Sequence, residues 1–92
     1  MYVSIVNHDI EDFVKWKAVY DGFDHGSHGV RFGRIDRNVE NPNNVTVVQG
    51  YDSAEVAQAF LNNPSLRAAL ASAGITSEPR IELYEEVDAI EY

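Results

Sequence analysis

The 92-residue chain contains no cysteine. Disulfide scaffolds, thiolate zinc sites, thiol nucleophiles and thiol redox exchange are therefore excluded. Basic side chains are scarce: 7 Lys and Arg stand against 15 Asp and Glu, a formal net charge of -8. A chain this acidic is repelled by phosphate backbones and anionic lipid, which argues against nucleic acid and membrane partners. No apolar run reaches the ~20 residues of a membrane-spanning helix. Strand-like residues begin at Tyr2 without a basic stretch or small-residue cleavage site, so no secretory signal is read and a cytoplasmic domain is expected. Linkers, repeats and low-complexity stretches are lacking too, and the length fits one domain over residues 1–92. Apolar residues make up 45% and aromatics 11% of the chain, enough for a packed core.

Six segments can be read in order. Tyr2 to His8 is β-branched and aromatic, the pattern of a strand. Asp9, with Asp12 three residues on, suits an N-cap. Ile10, Phe13, Val14, Trp16 and Tyr20 then recur at helical spacing to about Tyr20. Asp21 to Gly29 has three glycines and no period, so it is a loop. Val30 to Val39 and Val45 to Tyr51 read as strands joined by Asn41-Pro42-Asn43-Asn44, a hairpin. Asp52 with Glu55 opens a second helix. Asn63-Pro64 interrupts that helix, and a second piece runs to about Ser72 before Gly74. Arg80 to Val87 is the last strand, and Val87 to Tyr92 a tail.

The order βα-ββ-αβ, closed with right-handed split crossovers, predicts a ferredoxin-like α+β plait. Its four-stranded antiparallel sheet has strand order 4-1-3-2, with both helices on one face. The face without helices should be polar, yet Tyr2, Val6 and Tyr84 are left over as apolar residues for it. A second subunit covering that face is the expectation drawn from them; scattered surface apolars are the simpler alternative.

A family resemblance rests on three stretches. His8-Asp9-Ile10-Glu11-Asp12-Phe13 with Trp16-Lys17 and Tyr20-Asp21 resembles the first strand-to-helix junction of small dimeric α/β-barrel proteins. Gly29-Val30, Arg37 and Asn41-Pro42-Asn43 resemble their hairpin, and Ala57-Gln58-Ala59-Phe60, Pro64-Ser65-Leu66-Arg67 and Ala73-Gly74-Ile75 their second helix. Members of that superfamily include antibiotic-biosynthesis monooxygenases and polyketide cyclases, besides haem-degrading enzymes and peroxidases. The resemblance implies a homodimer, a dimeric α/β barrel whose two sheets face each other. Other plaits lack their signatures here. RNA-recognition motifs need basic aromatic strands, metal carriers a cysteine pair, and acylphosphatases a glycine- and arginine-bearing loop after the first strand.

His8 ends the first strand, where Arg80, Glu82, Arg34 and Asp36 are expected to converge. An imidazole beside a carboxylate and an arginine suits general acid–base chemistry near neutral pH. A hydrogen bond that orients the junction is the plainer role for His8. Arg34 and Tyr84 are the candidates to stabilise an enolate oxygen; the alternative for Arg34 is a salt bridge with Glu82 or Glu85. Trp16 would line an apolar substrate cavity, with Asp36, Arg80 and Glu82 as further substrate contacts. Asp24, His25 and His28 offer metal ligands at weak spacing. They are expected at the opposite end of the sheet from His8, in a solvated loop. The reading is a cofactor-independent, metal-free enzyme of the cyclase or monooxygenase kind, acting as a homodimer on an aromatic or polyketide-type small molecule. The competing reading is a non-catalytic binding or assembly dimer.

Overall fold

The computed structural model describes residues 1–92. Its elements are β1 (Tyr2–Asp9), α1 (Phe13–Gly22), β2 (Phe32–Arg37), β3 (Asn44–Tyr51), α2 (Ala54–Leu61), α3 (Pro64–Ala71) and β4 (Arg80–Glu85). One antiparallel sheet runs β2-β3-β1-β4, which is the expected 4-1-3-2 order read from the other edge. The fold is the ferredoxin-like α+β plait. Asn63 caps α3 by accepting from the amides of Ser65 and Leu66, with Pro64 at the first helical position. The interruption at Asn63-Pro64 therefore separates two helices, as the sequence predicts. The strands are shorter than expected at β2 and β4, and no helix is long and apolar enough to cross a membrane.

Both expected aspartate caps are displaced, the first from Asp9 to Asp12 and the second from Asp52 to Ser53. Asp9 is the last residue of β1: its carbonyl accepts from Thr76 N at 2.9 Å, its amide donates to Ser77 Oγ at 2.8 Å, and its carboxylate accepts from Asn44 Nδ2 at 2.9 Å. Ile10 N bonds Asn43 O at 2.7 Å and Glu11 N bonds Gly74 O at 3.0 Å, so the chain stays extended until Asp12 caps α1 through Val14 N. At α2 the cap is Ser53, which accepts from Val56 N at 3.2 Å. Asp52 instead receives Arg31 Nε and Nη2 at 2.8 and 2.6 Å.

Strand register assigns the two faces of the sheet, because directly paired residues point to the same side. Ser4, Val6 and His8 pair with Gln49, Val47 and Val45 and face the helices. Tyr2, paired with Tyr51, joins them, so Tyr2 and Val6 do not belong to the open face. The apolar residues left there are Val3, Ile5, Phe32 and Val48 together with Tyr84. Tyr84 lies on the open face as expected, whereas Tyr2 and Val6 do not, because two faces of alternating apolar residues give no sequence signal for which one meets the helices.

Beneath the helices the core has two parts. Ile10, Trp16, Val45, Val47 and Ala73 form one buried cluster, and Tyr51, Ala57, Phe60 and Leu66 the other.

Candidate functional site

A cavity of about 80 Å³ lies where the two core clusters meet. Val6, His8, Val47, Gln49 and Ile81 come from the sheet. Trp16 and Tyr20 of α1 line it from the helix layer, as do Phe60 and Leu61 of α2 and Leu66, Arg67 and Leu70 of α3. His25 and Pro79 complete the lining from loops.

His8 is the unusual group. It is 1% exposed, and both its ring nitrogens are buried without a hydrogen-bond partner. Buried polar atoms are nearly always paired, by protein or by ordered water, so this imidazole is left to bond a molecule held in the cavity. Burial pushes its pKa below the ordinary 6.5, and the neighbouring Asp9 charge opposes that only in part. The ring is therefore neutral near pH 7 and has a lone pair available. Its nearest aromatic neighbour is Trp16, 1% exposed, with ring centroids 5.7 Å apart.

A row of aromatic rings leads from His8 across the cavity. Trp16 stacks on Tyr20 at 5.4 Å, and Tyr20 lies 4.2 Å from the His25 ring. His25 therefore lines the same cavity as His8, contrary to the expectation that the loop histidines lie at the far end of the sheet. The loop folds back under the C-terminus of α1, where His25 Nε2 meets Tyr20 O at 2.9 Å. A carbonyl only accepts, so Nε2 carries the proton, and Nδ1 accepts from Gln49 Nε2 at 3.1 Å. Gln49 Nε2 also donates to the Tyr20 hydroxyl at 3.1 Å. Behind it stand Tyr51, whose hydroxyl donates weakly to Gln49 Oε1 at 3.4 Å, and Ser4, 2.9 Å from that hydroxyl. Burial raises the pKa values of Tyr20 and Tyr51, so both phenols keep their protons. Nothing in the spacing of Ser4, Tyr20, His25, Gln49 and Tyr51 marks this network; only the strand register and the loop path assemble it.

Both His25 nitrogens are engaged, Asp24 Oδ1 accepts from Ser27 N at 3.2 Å, and His28 stacks on Phe23 at 5.4 Å. No three His, Asp or Glu side chains stand together as a metal-binding group.

The remaining predicted site residues do not reach His8. Trp16 does line the cavity. Arg34, Asp36, Arg80, Glu82 and Tyr84 all point to the open face, with the sheet between them and the imidazole. The expected convergence failed because proximity at a strand end does not carry a side chain across the sheet. Arg34 lies 4.7 Å over the Phe32 ring. Glu82 accepts from the Tyr84 hydroxyl and from Arg80 Nε at 2.9 Å. The Tyr84 hydrogen bond first, and Arg80 second, hold the Glu82 carboxyl below its usual range, and Tyr84 is raised in return. The Tyr84 proton is thus already committed to Glu82.

Solved structures share this fold over the whole chain. A Deinococcus radiodurans protein provisionally named an antibiotic biosynthesis monooxygenase superposes with a TM-score of 0.75 at 14% identity, covering 100% of this chain and 98% of its own. A variant of SnoaB, a cofactor-independent oxygenase from Streptomyces nogalater, gives 0.73 at 12% identity, over 99% of this chain and 98% of that one. A Nitrosomonas europaea protein of unknown function gives 0.74 at 18% identity, over 99% and 93%. No protein-family model and no curated protein sequence matches the chain. At these identities the likeness establishes the shared fold.

Proposed function

We propose that the protein is a cofactor-independent oxygenase acting on an aromatic or polyketide-type ketone bound between helices and sheet. The observation that carries this reading is His8: a buried, neutral imidazole with both nitrogens unpartnered, set in a mostly apolar cavity. Such a group suits proton abstraction from an enolisable carbon, since the apolar wall weakens solvation of the base. The carbon's proton passes to His8 and its electron pair stays on the substrate as an enolate. Dioxygen takes up those electrons and forms the new C–O bond. The peroxide recovers the proton from the imidazolium, then loses water with the second carbon-bound hydrogen. One oxygen atom ends as a carbonyl, the other as water. Tyr20, whose hydroxyl accepts from Gln49 and has its own proton unspent, takes the enolate-stabilising role that Arg34 and Tyr84 cannot reach. The oxygenase likeness of SnoaB adds support at the level of fold.

At about 80 Å³ the cavity is far below the ~300–1,000 Å³ of typical ligand pockets. Binding a multi-ring substrate therefore requires the cavity to widen or the substrate to extend beyond it. Oxygen uptake with anthrone, a tricyclic enolisable ketone, tests the reading. The parent should consume oxygen, and His8→Gln should lose about 10²–10⁴-fold in rate while remaining folded. Full activity in His8→Gln would remove the base assignment, and a parent inert toward enolisable aromatic ketones would favour a binding module.

A homodimer through the open face is part of this proposal. Val3, Ile5, Phe32, Val48 and Tyr84 form a continuous apolar half of a face that no helix covers.

A further inference from the structure

We propose that the cavity selects ligands carrying an anionic group, with Arg67 as the specificity-determining residue at its α3 wall. This inference rests on the reading of the cavity as a substrate site.

The charge distribution around the chain isolates Arg67. Of its 7 basic side chains, four are paired with carboxylates: Lys15 with Glu11, Lys17 with Asp21, Arg31 with Asp52 and Arg80 with Glu82. Two more lie over aromatic rings, Arg34 on Phe32 at 4.7 Å and Arg37 on Phe13 at 4.4 Å. Arg67 has neither. Its one side-chain hydrogen bond is a long 3.4 Å contact from Nη2 to Asn62 Oδ1. Among the 7 basic residues, Arg67 alone has neither a carboxylate partner nor an aromatic ring beneath it.

Its position gives the exception a purpose. Arg67 is among the 14 residues lining the cavity, 9 of which are hydrophobic, and no Asp or Glu is among them. With His8 neutral, Arg67, itself an exposed residue, supplies the only formal charge among the residues that line that space. A planar fork of donors beside an apolar slot fits a carboxylate or phenolate attached to a ring system. The ring would lie against Leu66, Leu70 and Ile81, with its acidic group at Arg67. Because the rest of the protein is strongly acidic, this one cation also decides where an anionic ligand can approach.

The single tryptophan makes the test direct, since Trp16 lines the cavity and supplies the only indole N–H resonance in the protein. The full chain is titrated with 2-naphthoate and with its neutral isostere 2-naphthamide, following that resonance. Naphthoate should bind at least fivefold more tightly. R67Q should erase the preference while leaving naphthamide affinity within twofold, and R67K should keep part of it. Equal affinities in the parent, or a preference that survives R67Q, would overturn the role of Arg67 and leave the cavity reading intact. If neither compound moves the Trp16 resonance, the substrate-site reading falls and the inference with it.

Discussion

His8 receives no hydrogen bond from the protein itself, and the consequences can be measured at this one residue. A buried polar group without a partner is penalised by roughly 1–3 kcal/mol. His8→Phe removes the polar nitrogens and keeps a ring, so its denaturation midpoint should be no lower than the parent's, while oxygen uptake is lost. A large fall in stability would mean that the nitrogens have partners after all. Ser4→Ala is the contrasting change, since it strips the buried Tyr51 hydroxyl of its 2.9 Å partner and should lower the midpoint. The pH dependence follows from the same burial. The folded-state pKa of His8 lies below its unfolded value near 6.5. Between the two values the unfolded chain binds more protons, so His8 makes stability rise with pH across that window and level off above 6.5. Activity that needs the neutral ring should persist below pH 6.5 and fall only as pH passes the depressed value. A rate profile breaking at or above the ordinary histidine pKa would contradict a desolvated base.

At the scale of elements, the caps and the helix break set clear expectations. Ser53→Ala removes the bond to Val56 N and should cost about 1 kcal/mol. Asp52→Ala removes only an exposed pair with Arg31 and should fall within about 0–1 kcal/mol. Denaturant midpoints of the two variants distinguish these roles, and a larger loss at Asp52 would restore it as the cap. The sequence signal for α2 was real but shifted by one residue, because Asp52 and Ser53 are both good capping residues. The contact from Arg31, the residue just before β2, takes Asp52 away. At β1 the shift has a similar cause. Asp9 carries the local signature of a cap, but bonds from Asn44, Thr76 and Ser77 hold it in the strand. By contrast, Asn63-Pro64 was legible because proline's restriction on the preceding residue is local and needs no tertiary partner. Gly33 illustrates a demand no sequence pattern reveals. A Cβ there would stand 2.7 Å from the Tyr20 hydroxyl, so this glycine leaves room for the Tyr20–Gln49 bond.

On the scale of the whole molecule, strand order was readable from the sequence of elements, whereas facing was not. His8 and Arg34 both looked available to one site until the register put a sheet between them. The same register sorts the open face into rows. Phe32, Gly50, Val3 and Tyr84 form one, and Arg34, Val48, Ile5 and Glu82 the next. The row of Asp36, Thr46, Asn7 and Arg80 is polar. Arg34 and Glu82 stand three inter-strand spacings apart, roughly 14 Å, too far to pair within one chain. In a two-fold dimer each patch meets its own copy, so an apolar centre flanked by opposite charges is self-complementary. Light scattering should therefore give about twice the 10.3 kDa chain mass. Ile5 lies in the middle of the apolar rows, and Ile5→Glu would set two like charges against each other across the proposed two-fold interface. That variant should scatter as a monomer with its far-ultraviolet circular dichroism unchanged. A parent that is monomeric at micromolar concentration, or an Ile5→Glu variant that stays dimeric, would place the subunit contact elsewhere or nowhere. Since His8 lies on the other side of the sheet, the Ile5→Glu monomer should still shift its Trp16 indole resonance with 2-naphthoate, which separates assembly from ligand binding in a single sample.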